Sequence, residues 1–436
     1  MRTNFARLPA TGESGMLAGE TRRVIVAGAI GNVLEWYDFS VYGYFAAAIG
    51  RVFFPKEDPV AQILAAFGIF AVGFFMRPVG GALIGYVGDR LGRGAALTFS
   101  VVAMAVPTFL VGILPGYDVL GVMAPVILTL LRMIQGLSVG GEYTTSVVFV
   151  VEQASPGRRG LISSLACCGA VGGILLGSAT GAFLNSFLSP DEMARWGWRI
   201  PFIAGLVVGL AGFFLRRHLH EIAPARKPGA HSPLIAAVRE HWRLLGRLAG
   251  LSVFNAVSFY LIFVYIVSWV QLADGIAPQQ ALEINTICMA LLAPVMIVVG
   301  WLSDRFGRKP MLLAATVLGF VGAVPLLWLM HHNTPGLILT AQLGFVLIVG
   351  LFLGAQPAAM VEAAPMAVRC TAIALGYNLT LGLIGGTTPM VATWLVQRTE
   401  NELSPGYMIM AAAVISFLAT LLFRENNKAA LDAVAD

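Results

Sequence analysis

The stretch "GYVGDRLGR", Gly85–Arg93, returns in altered form as "GWLSDRFGR", Gly300–Arg308, with Asp89 and Asp304 215 positions apart. Each copy closes one long apolar run and opens the next, so each reads as a short charged turn whose glycines permit a tight bend. A second landmark repeats with it. Glu152, with Arg158 and Arg159 just beyond, ends one apolar run; Glu362, with Arg369 just beyond, ends another 210 positions on. Two landmarks at nearly one offset mark a duplicated unit. In a membrane chain, such parallel repeats place a substrate site between the halves near the bilayer midplane.

Around these turns the chain is built for lipid. Of its 436 residues, 58% are hydrophobic and 12% charged, where a soluble domain carries about 25% charged residues. Twelve apolar runs approach or exceed the roughly 20 residues of a membrane span: 24–50, 60–87, 95–115, 119–151, 160–187, 199–215, 246–271, 281–302, 311–330, 336–361, 371–397 and 406–423. Helix is the predicted form of each, because a helix satisfies its own backbone groups in lipid and barrel-type alternation is absent. Gly169, Gly173, Gly177 and Gly181 fall four apart on one face, a pattern suited to close helix contact. The predicted fold class is an all-α polytopic membrane protein with twelve transmembrane helices in two six-helix pseudo-symmetric halves. The predicted organisation is a cytoplasmic tail (1–23), a first half (24–215), a cytoplasmic linker (216–245), a second half (246–423) and a cytoplasmic tail (424–436).

Charge sets the orientation. The net charge is +5, and 21 of the 28 Lys and Arg fall in the N-terminus, the linker and the other loops on that side, and the C-terminal tail. Five lie on the opposite side, and Arg77 and Arg132 lie within spans. The positive-inside rule predicts both termini in the cytoplasm, across a plasma membrane of the bacterial inner type. The basic excess is therefore a topology signal and does not point to nucleic acid. The first 20 residues are polar and lack the apolar core of a secretory leader, so the N-terminus is expected to stay in place. Cys167, Cys168, Cys288 and Cys370 all sit in apolar runs and read as packing residues, with neither a disulfide nor a metal framework. His218, His220, His231, His241, His331 and His332 all lie in loops or at span ends, which argues against a histidine relay and against an intramembrane enzyme, since no His and no paired Cys/His stands at depth.

"GNVLEWYDFSVYGYF", Gly31–Phe45, puts Glu35 and Asp38 inside the first apolar run. A charge at the bilayer centre costs about 2.5–3.5 kcal/mol on insertion scales and needs a reason. Five charges are predicted at depth, Glu35, Asp38, Arg77, Arg132 and Glu142, all in the first half. The second half offers neutral groups instead: Asn255, Asn285, Gln356, Tyr377 and Asn378. Glu35, Asp38 and Tyr42 share one helix face, as do Gln135 and Glu142, with Arg132 one turn before Gln135. Two such faces can meet and pair. One outcome is an ion pair that only fixes packing. The other is proton coupling by Glu35, Asp38, Arg132 and Glu142, since three acids against two bases leave one over. A carboxylate balanced between desolvation and an arginine titrates near neutral pH. An arginine fork also matches a substrate carboxylate. Arg132 is the favoured partner, because Pro78 after Arg77 suggests a helix bend. Tyr42, Tyr260 and Tyr377 are candidates to shape the pocket or to serve packing alone.

The two charged turns, taken with "GNVLEWYDFSVYGY", "RPVGGALIG", "LRMIQGLSVGGEY", "WGWRIPF" and "GYNLTLGLIGGTTP", resemble the metabolite–proton symporters of the major facilitator superfamily over about residues 24–424. Gly94 departs from the family's turn, which usually carries a second basic residue there; Lys309 supplies it in the second copy. The resemblance implies the major facilitator fold and a secondary transporter, not an enzyme. It implies substrates among citrate, 2-oxoglutarate, shikimate, aromatic acids, and proline or betaine. It strengthens a gating role for Asp89, Arg90, Arg93 and Glu152 and their counterparts Asp304, Arg305, Arg308 and Glu362, which otherwise read equally as helix caps and positive-inside charge. The expected function is proton-driven symport of a small carboxylate metabolite by alternating access. Uptake of a zwitterionic osmolyte such as proline or glycine betaine is the alternative, and an uncoupled facilitator or channel is the alternative of another class. A short C-terminal segment, "RENNKAALDAVAD", without heptads weighs toward the carboxylate. The expected partners are the substrate and the lipid bilayer, with H+ as driving ion, no cofactor, and a monomer.

Overall fold

A computed structural model of the protein describes residues 32–33, 35–55, 58–80, 83, 93–140, 142–155, 157–216, 238–366, 368–428 and 431. Among these residues there is no strand. The first span is helical over 35–44 and again over Ala46–Phe53. The others are Pro59–Gly80, Arg93–Ile113, Met123–Gln153 in two helices, Arg159–Phe187, Arg199–Arg216, Trp242–Ala273, Pro278–Phe306, Arg308–Met330, Pro335–Ala363, Arg369–Thr399 and Ser404–Leu421. They follow the twelve apolar runs closely. The fourth begins later than expected, because Gly121 at φ +54° ends the one-turn helix Tyr117–Leu120 before Met123 starts the span.

Burial separates centre from periphery. The most apolar window of the seventh span is 94% buried within the chain, that of the ninth 33%. Val207, Val321 and Leu347 are more than half exposed, as expected of side chains facing lipid. The first six spans meet the last six at both ends of the molecule. The fifth and eighth spans run together: at one end Gly160 and Gly300 bring backbone against backbone, where a Cβ on either would sit 2.4–2.6 Å from the other's carbonyl oxygen. At the other end Gly181 faces Leu282, and Ser178 bonds Thr286 at 2.8 Å. Of the predicted glycine face, Gly173 and Gly177 take the first span, at Val33 and Ser40. The first span meets the seventh, Gly43 against Val264, and the second meets the eleventh, Gly382 and Gly386 against Phe74.

Two interruptions fall where periodicity alone shows unbroken helix. The seventh span passes through a π-turn at Leu261–Tyr265, and the eleventh through another at Leu381–Gly385. Single π-turns inside helices recur at functional sites. Several expectations lie outside the described residues: the tail 1–23, most of the linker (217–237), part of the C-terminal tail, and the turn carrying Asp89 and Arg90, with the side chains of Arg93 and Glu142.

Candidate transport site

The charges of the first half sort into two ion pairs. In one, Arg132 Nη1 donates to Asp38 Oδ2 at 2.6 Å. Asp38 Oδ1 also accepts from Thr108 Oγ1 at 2.7 Å and Gln135 Nε2 at 2.8 Å. Gln135 Oε1 accepts from Arg132 at 2.8 Å, and the guanidinium lies over the rings of Tyr42 and Phe39 at 4.3 and 4.8 Å. The first, third and fourth spans supply this polar cluster, all from one half. Thr108 was not singled out in the sequence; a hydroxyl beside Pro107 in an apolar span was the available signal.

In the other pair, Arg77 Nη2 donates to Glu35 Oε1. Its surroundings are aromatic. The Arg77 guanidinium lies 4.7, 5.4 and 5.6 Å from the ring centres of Phe74, Phe39 and Trp36, within cation–π range. Tyr260, from the seventh span, stands 5.2 Å from Phe74 and stacks on Trp36 at 6.3 Å. The helix Pro59–Phe75 breaks at Met76 before Arg77 and Pro78, since proline lacks an N–H and crowds the carbonyl four residues earlier. Arg77 thus stands at a bend, as its neighbour Pro78 suggested, and is ion-paired as well. All four charged side chains are at most 5% exposed. Glu35 and Asp38 share a helix face but do not share one partner. The surplus acid inferred from the sequence depends on Glu142, whose side chain is not described.

The neutral candidates of the second half are dispersed. Tyr377 stacks on Tyr143 at 5.3 Å, and Asn378 donates to Gly140 O at 2.8 Å, so both bridge the halves. Gln356 donates to Ser252 at 3.3 Å, within its own half. Asn255 is buried near Tyr377. Asn285, the remaining neutral group, lies in a polar knot toward the opposite end: it donates to Tyr44 at 2.9 Å and accepts from Gln342 at 2.9 Å.

At the end marked by the charged turns, Asp304 reaches across the halves. Its two oxygens accept from the N–H groups of Gly160 and Leu161, both at 2.9 Å, and so cap the fifth span, where helix N-termini favour negative charge. Arg308 bonds Asp304 at 2.8 Å and grips Glu362 through Nε and Nη2 at 3.1 and 3.0 Å. Arg159 of the first half approaches Glu362 at 3.8 Å, and Arg369 bonds Glu152 across the halves at 2.7 Å. Arg305 does not join this network; it lies 3.9 Å over the ring of Trp301.

The sequence profile of the Major Facilitator Superfamily matches residues 28–387. The chain is 35% identical over 424 residues to the glycine betaine/proline/ectoine/pipecolic acid transporter OusA of Dickeya dadantii (strain 3937), covering 94% of this chain and 84% of the relative. It is 34% identical over 422 residues to the proline/betaine transporter of Escherichia coli (strain K12), with the same coverage. Among solved structures, the crystal structure of a D-xylose-proton symporter superposes with a TM-score of 0.74 at 21% identity, covering 94% of this chain and 99% of that one. The xylose symporter XylE bound to 6-bromo-6-deoxy-D-glucose superposes with 0.73 at 18% identity, covering 96% and 99%. The chain therefore belongs to the Major Facilitator Superfamily, and is a multi-pass membrane transporter of small molecules, not an enzyme. The relatives are named for proline and betaine, which sides with the osmolyte alternative over the carboxylate reading.

Proposed function

We propose that this transporter is a proton-coupled symporter of a small zwitterion of the proline or glycine betaine kind, lying in the bacterial inner membrane with both termini cytoplasmic. One observation carries the choice of substrate. The two buried pairs set two carboxylates against two guanidiniums, so the described charges at depth sum to zero. A net-neutral zwitterion enters such a site without adding charge, whereas a dicarboxylate brings negative charge into low dielectric, where uncompensated ions are costly. The names of the relatives support the same side.

The two pairs divide the work. Asp38 is the coupling acid: it lies in a polar cluster belonging wholly to the first half, and protonating it releases Arg132 and Gln135. Arg77 faces both halves and is the substrate's partner, in place of Arg132. Substrate binding between the halves then draws Tyr260 and its π-turn toward Arg77. Asp304, Arg308, Glu362, Glu152 and Arg369 hold the cytoplasmic ends together and part when the site opens inward. By the internal repeat, Asp89, Arg90 and Arg93 do the same in the first half.

Uptake of labelled glycine betaine into proteoliposomes tests this. An inward proton gradient should drive accumulation, an uncoupler should abolish it at constant sodium, and excess citrate should not compete. Accumulation that follows a sodium gradient at fixed pH overturns the coupling, and competition by citrate overturns the zwitterion.

A further inference from the structure

Several buried donors converge beside the Arg77–Glu35 pair without an acceptor. Nε and Nη1 of Arg77 and Nε1 of Trp36 are buried and meet no acceptor, and the buried hydroxyl of Tyr260 has no neighbour to bond but the Arg77 guanidinium. An unmet buried donor costs about 1–3 kcal/mol, so a group of them marks a place completed by something else. The three N–H groups can only donate, which calls for an anion. The rings around them call for a cation: the Arg77 guanidinium occupies their faces. Both π-turns of the second half border this place. Tyr260 immediately precedes Leu261–Tyr265. Gly385, inside the other turn, lies so close that a Cβ there would stand 2.8 Å from the Tyr260 ring. The box can therefore be reshaped by the two helices most suited to bending.

We infer that the Glu35–Arg77 pair and its rings form a receptor for a quaternary ammonium carboxylate, in which the pair itself stands in for the ligand. The inference rests on the zwitterion reading above. Arg77 plays the ligand's cation and Glu35 its carboxylate. On binding, the substrate's carboxylate replaces Glu35 on Arg77 and takes the free Nε and Nη1. The guanidinium is drawn off the rings, and the substrate's trialkylammonium group takes its place between Trp36, Phe74 and Tyr260. A quaternary cation has no N–H to donate, so its recognition comes from ring faces, where cation–π attraction strengthens in a desolvated site. No proton moves in this exchange, which leaves coupling to Asp38.

The test uses the whole purified transporter and two probes of one shape: glycine betaine and 3,3-dimethylbutyrate, in which an uncharged carbon replaces the ammonium nitrogen. Binding of both is measured by titration calorimetry on the unaltered protein and on Trp36→Phe, Trp36→Leu and Arg77→Lys. Betaine should bind the unaltered protein about tenfold tighter than its uncharged isostere. Trp36→Phe should keep most of that preference and Trp36→Leu should lose it. Arg77→Lys should weaken both probes alike, because it alters the carboxylate end. The ratio within one preparation does not depend on how much of a variant is folded. Equal binding of the two probes to the unaltered protein, or an unchanged ratio in Trp36→Leu, overturns the receptor while leaving zwitterion transport standing. Failure to transport betaine at all, with citrate accumulated instead, overturns both.

Discussion

Two carboxylate–arginine pairs begin three residues apart on one helix and have opposite surroundings. Asp38 accepts from Arg132, Thr108 and Gln135, all side chains of the first half. Glu35 holds Arg77, which lies among Trp36, Phe39 and Phe74, with Tyr260 of the second half beside them. The chemistry of the pairs is the same, so their difference lies in what surrounds them. A carboxylate whose partners all belong to one rigid body keeps its neighbours while the halves rock, and suits a proton held through the cycle. A guanidinium facing both bodies feels each change of state, and suits a ligand whose binding must draw the halves together.

The sharpest way to break this contrast is to neutralise each acid in turn. Asp38→Asn should abolish accumulation against a gradient while counterflow persists, and Glu35→Gln should leave the pH dependence of transport in place while weakening betaine binding. Losing Asp38 leaves Arg132 buried and unpaired at a cost of about 3–5 kcal/mol, so thermal unfolding should fall in parallel. Concentrative uptake by Asp38→Asn would dissolve the distinction. The next effect lies at the end marked by the charged turns. Asp304→Asn removes the charge capping the fifth span from the other half; uptake should fall several-fold while betaine affinity in detergent changes less than twofold. A large loss of affinity would move Asp304 from the gate to the site.

A smaller change sharpens the contrast within the coupling pair. Thr108→Val removes one donor from Asp38, worth about 1.5–3 kcal/mol for a bond to a charged group. Proton-driven accumulation should fall severalfold while betaine binding in detergent stays the same. Unchanged accumulation, or an equal loss of betaine binding, means that Thr108 does not serve the coupling acid. The smallest effect lies outside the membrane, where Asp274 meets His331 at 2.8 Å between the seventh and ninth spans. Burial raises the Asp274 carboxyl more than His331 lowers it. The folded protein then binds that proton more tightly than the unfolded chain, so stability falls as pH rises from about 4 through the raised value. Asp274→Asn should flatten that slope, read as the dependence of the unfolding temperature on pH. A steeper slope in the variant would reverse the assignment.

The helices were legible because lipid imposes one rule on every span: about 20 apolar residues with their backbone bonds closed locally. The duplication was read from the matching sequences around Asp89 and Asp304, of which the first lies outside the described residues. The candidate site was legible only as a set. Glu35, Asp38, Arg77 and Arg132 stood out because charge at depth is rare, but spacing placed Glu35 and Asp38 together, and Pro78 beside Arg77 favoured Arg132 for the substrate. Trp36 and Phe74 were missed, since an aromatic side chain in an apolar span looks like any other packing residue.

The sequence by itself determined the solvent the chain folds in, the order of its spans, and that Glu35, Asp38, Arg77 and Arg132 lie at depth in the first half. These follow from properties that each segment carries alone: hydropathy, length and the position of its charges. Only the tertiary structure decided which arginine answers which acid, that Tyr260 from the seventh span stands by the second pair, and that Asp304 caps a helix 144 positions away. Pairing across helices depends on rotation and depth of one span against another. Those are fixed by close contacts such as Gly160 on Gly300, which no single segment contains.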